Sequence, residues 1–430
     1  MKVGFYKACV TPPIGTPMAG FAARRDVSRG VHDGLYARAT YFSDGASEYI
    51  VASVDVAGLD RWIVSRVVEL VSRRLGLSEE QISVSATHTH SGPDLHAGFS
   101  EPDPELREVT ARKIAGAMCA AVENVEELKL HVGRGAVEGV SANRRNPLSG
   151  PLDRDVYAVA FKRGIRPAVT ITEFACHPVV LRHDNLLISA DYPGALNRHV
   201  ENLTGGFSVF FNGTCGDINP FLPGMILKER YERRPGTFED VDWMGAVIAC
   251  ESVKQAMLAG PEDEELVYGA ERVVLKTMLP KGLEEARERL EDLKKKVEEA
   301  KRAGNVDEEL RARIELFRAR RIIRFSDIYG PGRIETLIRG MALSRKTVLL
   351  FLPSEVLSGI GLAIKASSPF ENTVVISCSN DYFGYICPSG EYGKGGYEAT
   401  YPVTVLEKGG GEAVARTSLR LLEKLYSQIG

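Results

Sequence analysis

Gln81-Ile82-Ser83-Val84-Ser85-Ala86-Thr87-His88-Thr89-His90-Ser91-Gly92-Pro93 is the stretch from which the rest of the chain can be read. Apolar residues at 82, 84 and 86 alternate with polar ones, the period of a strand with one buried face. This strand runs straight into two histidines. On extended backbone, residues i and i+2 point the same way. His88 and His90 can therefore face one ion, or one can bind while the other acts as a base. Imidazole suits zinc and neighbouring transition metals, and the small flanking residues leave the approach open. The plainer reading of the pair is two polar loop histidines without a ligand.

The same pattern, a short apolar strand with polar residues at its end, recurs along the chain. Residues 48–54 form a strand that runs into Asp55; 168–176 runs into His177 and pairs with 156–163. Residues 207–212 lead into Gly213-Thr214-Cys215-Gly216-Asp217-Ile218-Asn219-Pro220. Residues 347–353 lead to Ser354-Glu355, and 373–379 to Asn380-Asp381-Tyr382-Phe383-Gly384-Tyr385. Between the strands lie helical periods at 61–75, with a Gly76 stop, at 104–125 and at 412–427. Strands alternating with helices predict an α/β fold of mixed β-sheets flanked by helices, whose sites gather at strand ends. The chain reads as a single catalytic domain over 1–430.

One segment differs. Residues 283–324 are rich in Glu, Lys and Arg, with apolar residues at near-heptad spacing from Leu283 to Ala300. Gly304-Asn305 makes a turn, and Leu310, Ile314 and Phe317 continue a second stripe. This predicts a helical hairpin, inserted at 281–325, that packs on its own domain or serves as a homodimer arm.

Several candidate residues are ambiguous in isolation. A lone His177 after an apolar strand reads first as a satisfied structural histidine. Asp217 can ligate a metal or orient a histidine, and Cys215 can be a packing residue or a nucleophile. Glu355 can be a ligand or the cap of the helix that follows. Nothing in the sequence alone selects Tyr385. Asp55, Asp94 and Asp191 suit turns and caps, but together with the histidines they exceed what one tetrahedral zinc needs, as in two-metal hydrolases.

Composition narrows the classes. The 430 residues are 44% hydrophobic and 26% charged, and a formal charge of −3 gives no reason to expect nucleic acid, which would call for a basic face. No apolar run is long enough to span a bilayer, and no apolar run follows Lys2 and Lys7 as an export signal would require. Seven cysteines without CxxC spacing predict reduced thiols in a cytoplasm. There is no P-loop, Rossmann fingerprint or GxSxG motif.

The chain resembles the catalytic region of the neutral/alkaline, non-lysosomal ceramidases from Gly4 to about Tyr426. The resemblance rests on Thr11-Pro12-Pro13-Ile14-Gly15, Met18-Ala19-Gly20, the 30–39 segment, and above all Thr87-His88-Thr89-His90-Ser91-Gly92-Pro93. It implies a zinc amidase acting on N-acyl bonds, with His88, His177, Glu355 and Tyr385 as metal ligands. It further implies His90 as proton carrier, Tyr397 as a second active-site tyrosine and Arg144, after Asn143, as the active-site arginine. The family's Gly-Asp-x-Ser-Pro reads Gly216-Asp217-Ile218-Asn219-Pro220 here, with Asn219 in the place of the serine.

The expectation is a metal-dependent hydrolase of a small-molecule substrate, using metal-activated water, with zinc as the ion. Asp217 joins His90 as an acceptor of protons, while Arg144, Asn219 and Tyr397 stabilise the developing oxyanion. The alternative is a phosphoester hydrolase with two or more ions, manganese or zinc, in which Asp55, Asp94 and Asp191 hold the second and Arg144 a phosphate oxygen. A third reading is a non-catalytic metal-binding protein that dimerises through the hairpin.

Overall fold

A computed structural model describes residues 1–96, 98–101 and 103–429. Among them are three principal sheets and eight α-helices: α1 (Arg61–Leu75), α2 (Pro104–Glu123), α3 (Asp191–Thr204), α4 (Phe238–Leu258), α5 (Leu283–Arg302), α6 (Val306–Tyr329), α7 (Ser358–Ser367) and α8 (Gly410–Gln428). None of these helices is long and apolar enough to cross a membrane. This is the mixed α/β arrangement expected from the sequence.

Each sheet combines antiparallel strands with one parallel pair. In the first, Ile82–Ala86 lies parallel to Glu48–Val54; in the second, Phe207–Asn212 lies parallel to Arg166–Phe174. In the third, Asn372–Ile376 lies parallel to Thr347–Phe351. Strand alternation lets each sheet serve two cores. Ile50, Ala52 and Val54 face α1 and α2, while Tyr49 and Val51, on the same strand, enter a core shared by all three sheets. Phe161, Ile171, Phe211, Leu349 and Phe351 fill that shared core from the other two sheets. The second sheet's outer face packs on α3 and α4, the third's on α7 and α8.

The parallel pairs position the site, because both members of each pair end on the same side. Six strand ends thus lead to Asp55, His88, His177, Asp217, Glu355 and Tyr385. Asn212, fully buried, clasps these ends together. Its amide donates to the Thr87 carbonyl at 3.0 Å, its side-chain oxygen accepts from the Cys176 amide at 3.3 Å, and its backbone carbonyl accepts from Ser377.

Local signals set the helix bounds. Asp60 caps α1 by accepting from the Ile63 amide at 3.2 Å, and Gly76 closes it in the left-handed conformation. The hairpin runs to Tyr329, four residues past its expected limit. Its core uses the expected α5 stripe but a different face of α6. Ala312, Leu316 and Ala319 of α6 pack on Leu293, Val297 and Ala300 of α5. Leu310, Ile314 and Phe317 lie on another side of α6, because a two-residue offset at about 100° per residue turns a stripe to the opposite face. The hairpin also docks on its own chain. Arg324 reaches Asp60 at 2.7 Å, Arg321 donates to the Pro402 and Val403 carbonyls, and Phe317 stacks on Phe99 at 4.8 Å.

Candidate metal centre

The strand Ile82–Ala86 ends two residues before His88, whose backbone turns sharply with φ +74°. Left-handed backbone is costly for a residue with a side chain and tends to collect at functional sites. Ser354, Cys378 and Asn380, on the loops that bring in Glu355 and Tyr385, share this conformation. The turn aims the His88 Nδ1 at the Ala57 carbonyl, 2.5 Å away. His177 does the same on the second sheet, its Nδ1 lying 2.7 Å from the Cys215 carbonyl. A carbonyl can only accept, so both rings carry a hydrogen on Nδ1, and in the neutral ring Nε2 presents a lone pair.

Those lone pairs converge. The Nε2 atoms of His88 and His90 are 3.3 Å apart. Glu355 Oε2 lies 3.2 Å from His88 Nε2 and 3.1 Å from His177 Nε2, and the Tyr385 hydroxyl is 3.5 Å from the latter. The expected facing of His88 and His90 is present. The nitrogens of His88, His90 and His177 lie within 4.8 Å of one another. With a second proton on the rings these contacts are hydrogen-bonded ion pairs, and when those protons leave the same atoms make a ligand set for a cation. The other ring nitrogens held by carbonyls are the usual support of metal-binding histidines. The donor set of imidazole nitrogens and a carboxylate oxygen is that of zinc and its neighbours. His90 Nδ1 is buried without a partner. Burial first, then His88 and His177, hold the His90 pKa well below its ordinary value, so the ring stays neutral. Burial pushes Glu355 up, but the facing histidines reverse this and hold it well below the usual carboxylate range.

Gly20 makes room for His90. Its φ is +97°, and a Cβ there would sit 2.2 Å from the imidazole Cγ, so only glycine fits. Phe21 then covers the ring edge-on at 5.0 Å.

The remaining expected residues divide into those near the cluster and those engaged elsewhere. Tyr385 also accepts from Arg144 at 3.0 Å. Arg144 further donates to Asn219 Oδ1 at 3.0 Å, to the Gly216 carbonyl at 2.7 Å and to Glu398 at 2.8 Å. Four of its five donor hydrogens are committed in this way, so it braces Tyr385 and Asn219. Tyr397 is 52% exposed and packs edge-on against Tyr385, with Arg144 5.0 Å from its ring. Burial around its hydroxyl still raises the pKa.

Glu355 and Asp217 depart from the sequence reading. Glu355 lies in a two-residue parallel ladder with Tyr385, not at a helix cap. Asp217 is the residue that meets α7, taking the Ser358 amide at 2.8 Å on one oxygen and the Asn143 amide at 2.8 Å on the other. With a hydrogen bond on each oxygen, it positions the Asn143–Arg144 segment and lies outside the histidine cluster. Burial pushes its pKa up.

The second-metal set is not assembled. Asp55 accepts from the Tyr36 amide at 2.9 Å; Asp94 accepts from the amides of Gly98, Phe99 and Ser100. Asp191 accepts from Val180, Leu181 and Tyr192 at the start of α3. Each is occupied in a turn or cap, and among the described residues the only group of three or more able to hold an ion is the histidine triad. Burial nevertheless pushes Asp55 and Asp191 up to about 6.

Sequence reasoning missed three participants. Tyr382 donates a short hydrogen bond to Glu355 Oε1, and Glu398, 1% exposed, anchors both Arg144 and Arg145. Asn212 is the third. Glu398 adjoins Tyr397, and Tyr382 lies in the stretch that ends at Tyr385, but no local pattern distinguishes them.

Comparison with known proteins follows this geometry. A sequence model of the neutral/alkaline non-lysosomal ceramidase N-terminal family matches residues 1–234. The neutral ceramidase of Mycobacterium tuberculosis is 26% identical over 253 residues, which are 49% of this chain and 39% of that protein. That of Pseudomonas aeruginosa is 24% identical over 250 residues, 51% of this chain and 37% of the relative. The matched stretch thus spans well under half of either relative. The crystal structure of the neutral ceramidase from Pseudomonas aeruginosa superposes with a TM-score of 0.76 at 18% identity, covering 100% of this chain and 75% of that one. At that identity the likeness is one of fold.

Proposed function

The chain belongs to the neutral/alkaline non-lysosomal ceramidase family, and from that premise we propose that it is a zinc-dependent hydrolase of N-acyl amides that uses water as the nucleophile. The observation that carries this reading is the meeting of His88, His90 and His177 with Glu355, the Nδ1 atoms of His88 and His177 being held by carbonyls. His88, His177, Glu355 and Tyr385 would hold the ion. Bound there, zinc supplies Lewis acidity that acidifies water and polarises a carbonyl.

The chain's own residues do the rest. His90, neutral and partly buried, turns its Nε2 toward the cluster, where it accepts the proton that water gives up and returns it to the leaving amine. Tyr382 steadies Glu355 from behind. Arg144 orients Tyr385, and the half-exposed Tyr397 is the hydroxyl available to the substrate oxygen. Phe21 shields His90 from bulk water. Asn219 takes the place that the family resemblance gives to serine. Its side-chain oxygen is committed to Arg144, so it positions the arginine, and no side-chain nucleophile is needed.

The test is metal analysis of protein purified without added metal, with His88→Ala alongside. The expected result is about one zinc per chain, lost in the variant together with amide hydrolysis. Full activity in a metal-free preparation overturns the reading.

A further inference from the structure

Two cavities of unlike character adjoin the metal centre. The first, about 470 Å³, is lined at the centre by His88, His90 and Glu355. Its outer walls are mostly apolar, with Phe21, Ala22 and Ala23 from the N-terminal segment, Phe99, and Leu310, Ile314 and Phe317 from α6; the charged residues there are Arg318, exposed at the rim, and Arg321, held by the Pro402 and Val403 carbonyls. Those α6 residues are the stripe that the hairpin core leaves out. Leu310 and Ile314 remain 38% and 36% exposed, which is unfavourable unless something apolar covers them.

The second cavity, about 690 Å³, is lined by Asn146, Ser149, Arg145, Lys394 and Glu391, among others. It reaches the centre through Arg144, which holds Tyr385, and it shares Tyr397 with the first cavity. Both volumes fall in the range of small-molecule sites. The second is more polar than the first, although Pro151, Leu357 and Pro388 also line it, and it is balanced in charge. Arg145 pairs with Glu391 at 2.9 Å and with Glu398 at 2.6 Å; Lys394 pairs with Glu391 at 3.2 Å, and Arg144 with Glu398 at 2.8 Å. Three cations (Arg144, Arg145, Lys394) face three acids (Asp217, Glu391, Glu398), so no surplus charge calls for a carboxylate or phosphate. A hydrocarbon chain there would strip water from these pairs without replacing it.

We propose that the substrate is an amide with one apolar chain and one compact, uncharged, hydroxyl-rich arm, such as an acylated amino sugar, rather than a two-chain lipid amide. The apolar arm lies along the α6 stripe, the polar arm lies among Asn146, Ser149 and Arg145, and the amide sits between them at Tyr397. The stripe makes α6 the element that sets chain length. This rests on the amide-hydrolase reading for its chemistry, although the two arms are read from the cavities alone.

The test compares four amides on the metal-loaded protein: N-octanoylglucosamine, the octylamide of gluconic acid, N-acetylglucosamine and an octanoyl ceramide with a full sphingoid chain. The expected result is that one of the first two exceeds both of the others by about tenfold or more in kcat/KM. Ile314→Trp is then expected to raise KM for the octyl-bearing amide about tenfold with little change for its butyl analogue. Ser149→Trp is expected to raise KM for the sugar amide and to spare the octanoyl amide of methylamine. Ceramide turned over as well as or better than the single-chain amides overturns the proposal. Calorimetric binding of the same four amides to the His88→Ala protein separates the two readings. A single-chain preference in binding, with no turnover by the metal-loaded protein, sinks the hydrolase reading and keeps this one; equal or ceramide-preferring binding sinks this one.

Discussion

The strand ends that carry His88, Glu355 and Tyr385 and helix α6 of the hairpin border the same cavity but are held by different forces. At the strand ends, parallel ladders, buried carbonyl–imidazole bonds and the Asn212 clasp fix each side chain, with several residues in left-handed backbone. The hairpin has a small core of Leu, Val and Ala, and its remaining surface is laced with exposed ion pairs such as Arg289–Glu315 and Lys296–Asp292. Chemistry needs groups placed to a fraction of an ångström, which the first region can provide. Substrate fit needs only an apolar wall of the right shape, which the second can provide while varying in sequence.

The contrast can be broken most directly through stability. Phe351→Ala, in the core that all three sheets share, should cost about 3–5 kcal/mol and lower the denaturation midpoint of the whole chain. Leu293→Ala in the hairpin should cost about 2 kcal/mol and act locally, seen as faster amide exchange in α5 and α6 with the sheets still protected. If Leu293→Ala unfolds the sheets as well, the two regions are one cooperative unit and the comparison fails.

A smaller effect sharpens the account of the centre. Tyr382→Phe removes only the hydroxyl that Glu355 Oε1 accepts, and should weaken metal binding about 10–100-fold. Competition with a chelator measures it, and unchanged affinity would reduce Tyr382 to packing.

The strand leading to His177 also carries a pH signature. Burial pushes Glu173 up to about 8, partly opposed by Lys365. A carboxyl whose pKa is raised in the fold contributes stability that is complete below its unfolded value of 4.5 and is lost as pH rises through about 8. Stability should therefore fall between those limits, by at most about 1.4 kcal/mol per pH unit from this group. Glu173→Gln should flatten that part of the urea-stability profile, and an unchanged slope would assign it to other groups. The smallest effect belongs to the hairpin surface. Arg289→Ala, which loses Glu285 and Glu315, should cost at most about 0.5 kcal/mol and nothing measurable in high salt.

The chain's local rules were legible without a structure. The α1 helix lies where apolar spacing and Gly76 put it, because caps and periodicity act within a few residues. His88 and His90 face each other as their spacing suggested, but through a left-handed turn at His88 rather than the extended backbone the spacing assumed. Tertiary structure alone decided the rest. His177 and Glu355 are 178 residues apart in sequence and meet at 3.1 Å only because three parallel strand pairs end on one side. The acceptors at Ala57 and Cys215 are backbone carbonyls, which every residue has, so nothing in the residue types marks them. Asp217, Asp55, Asp94 and Asp191 were open as ligands until the fold brought amides to their oxygens. The Leu310–Ile314–Phe317 stripe was visible as a stripe, but a helix period states only that a face is apolar; whether it meets a neighbouring helix or a cavity depends on what the rest of the chain leaves beside it.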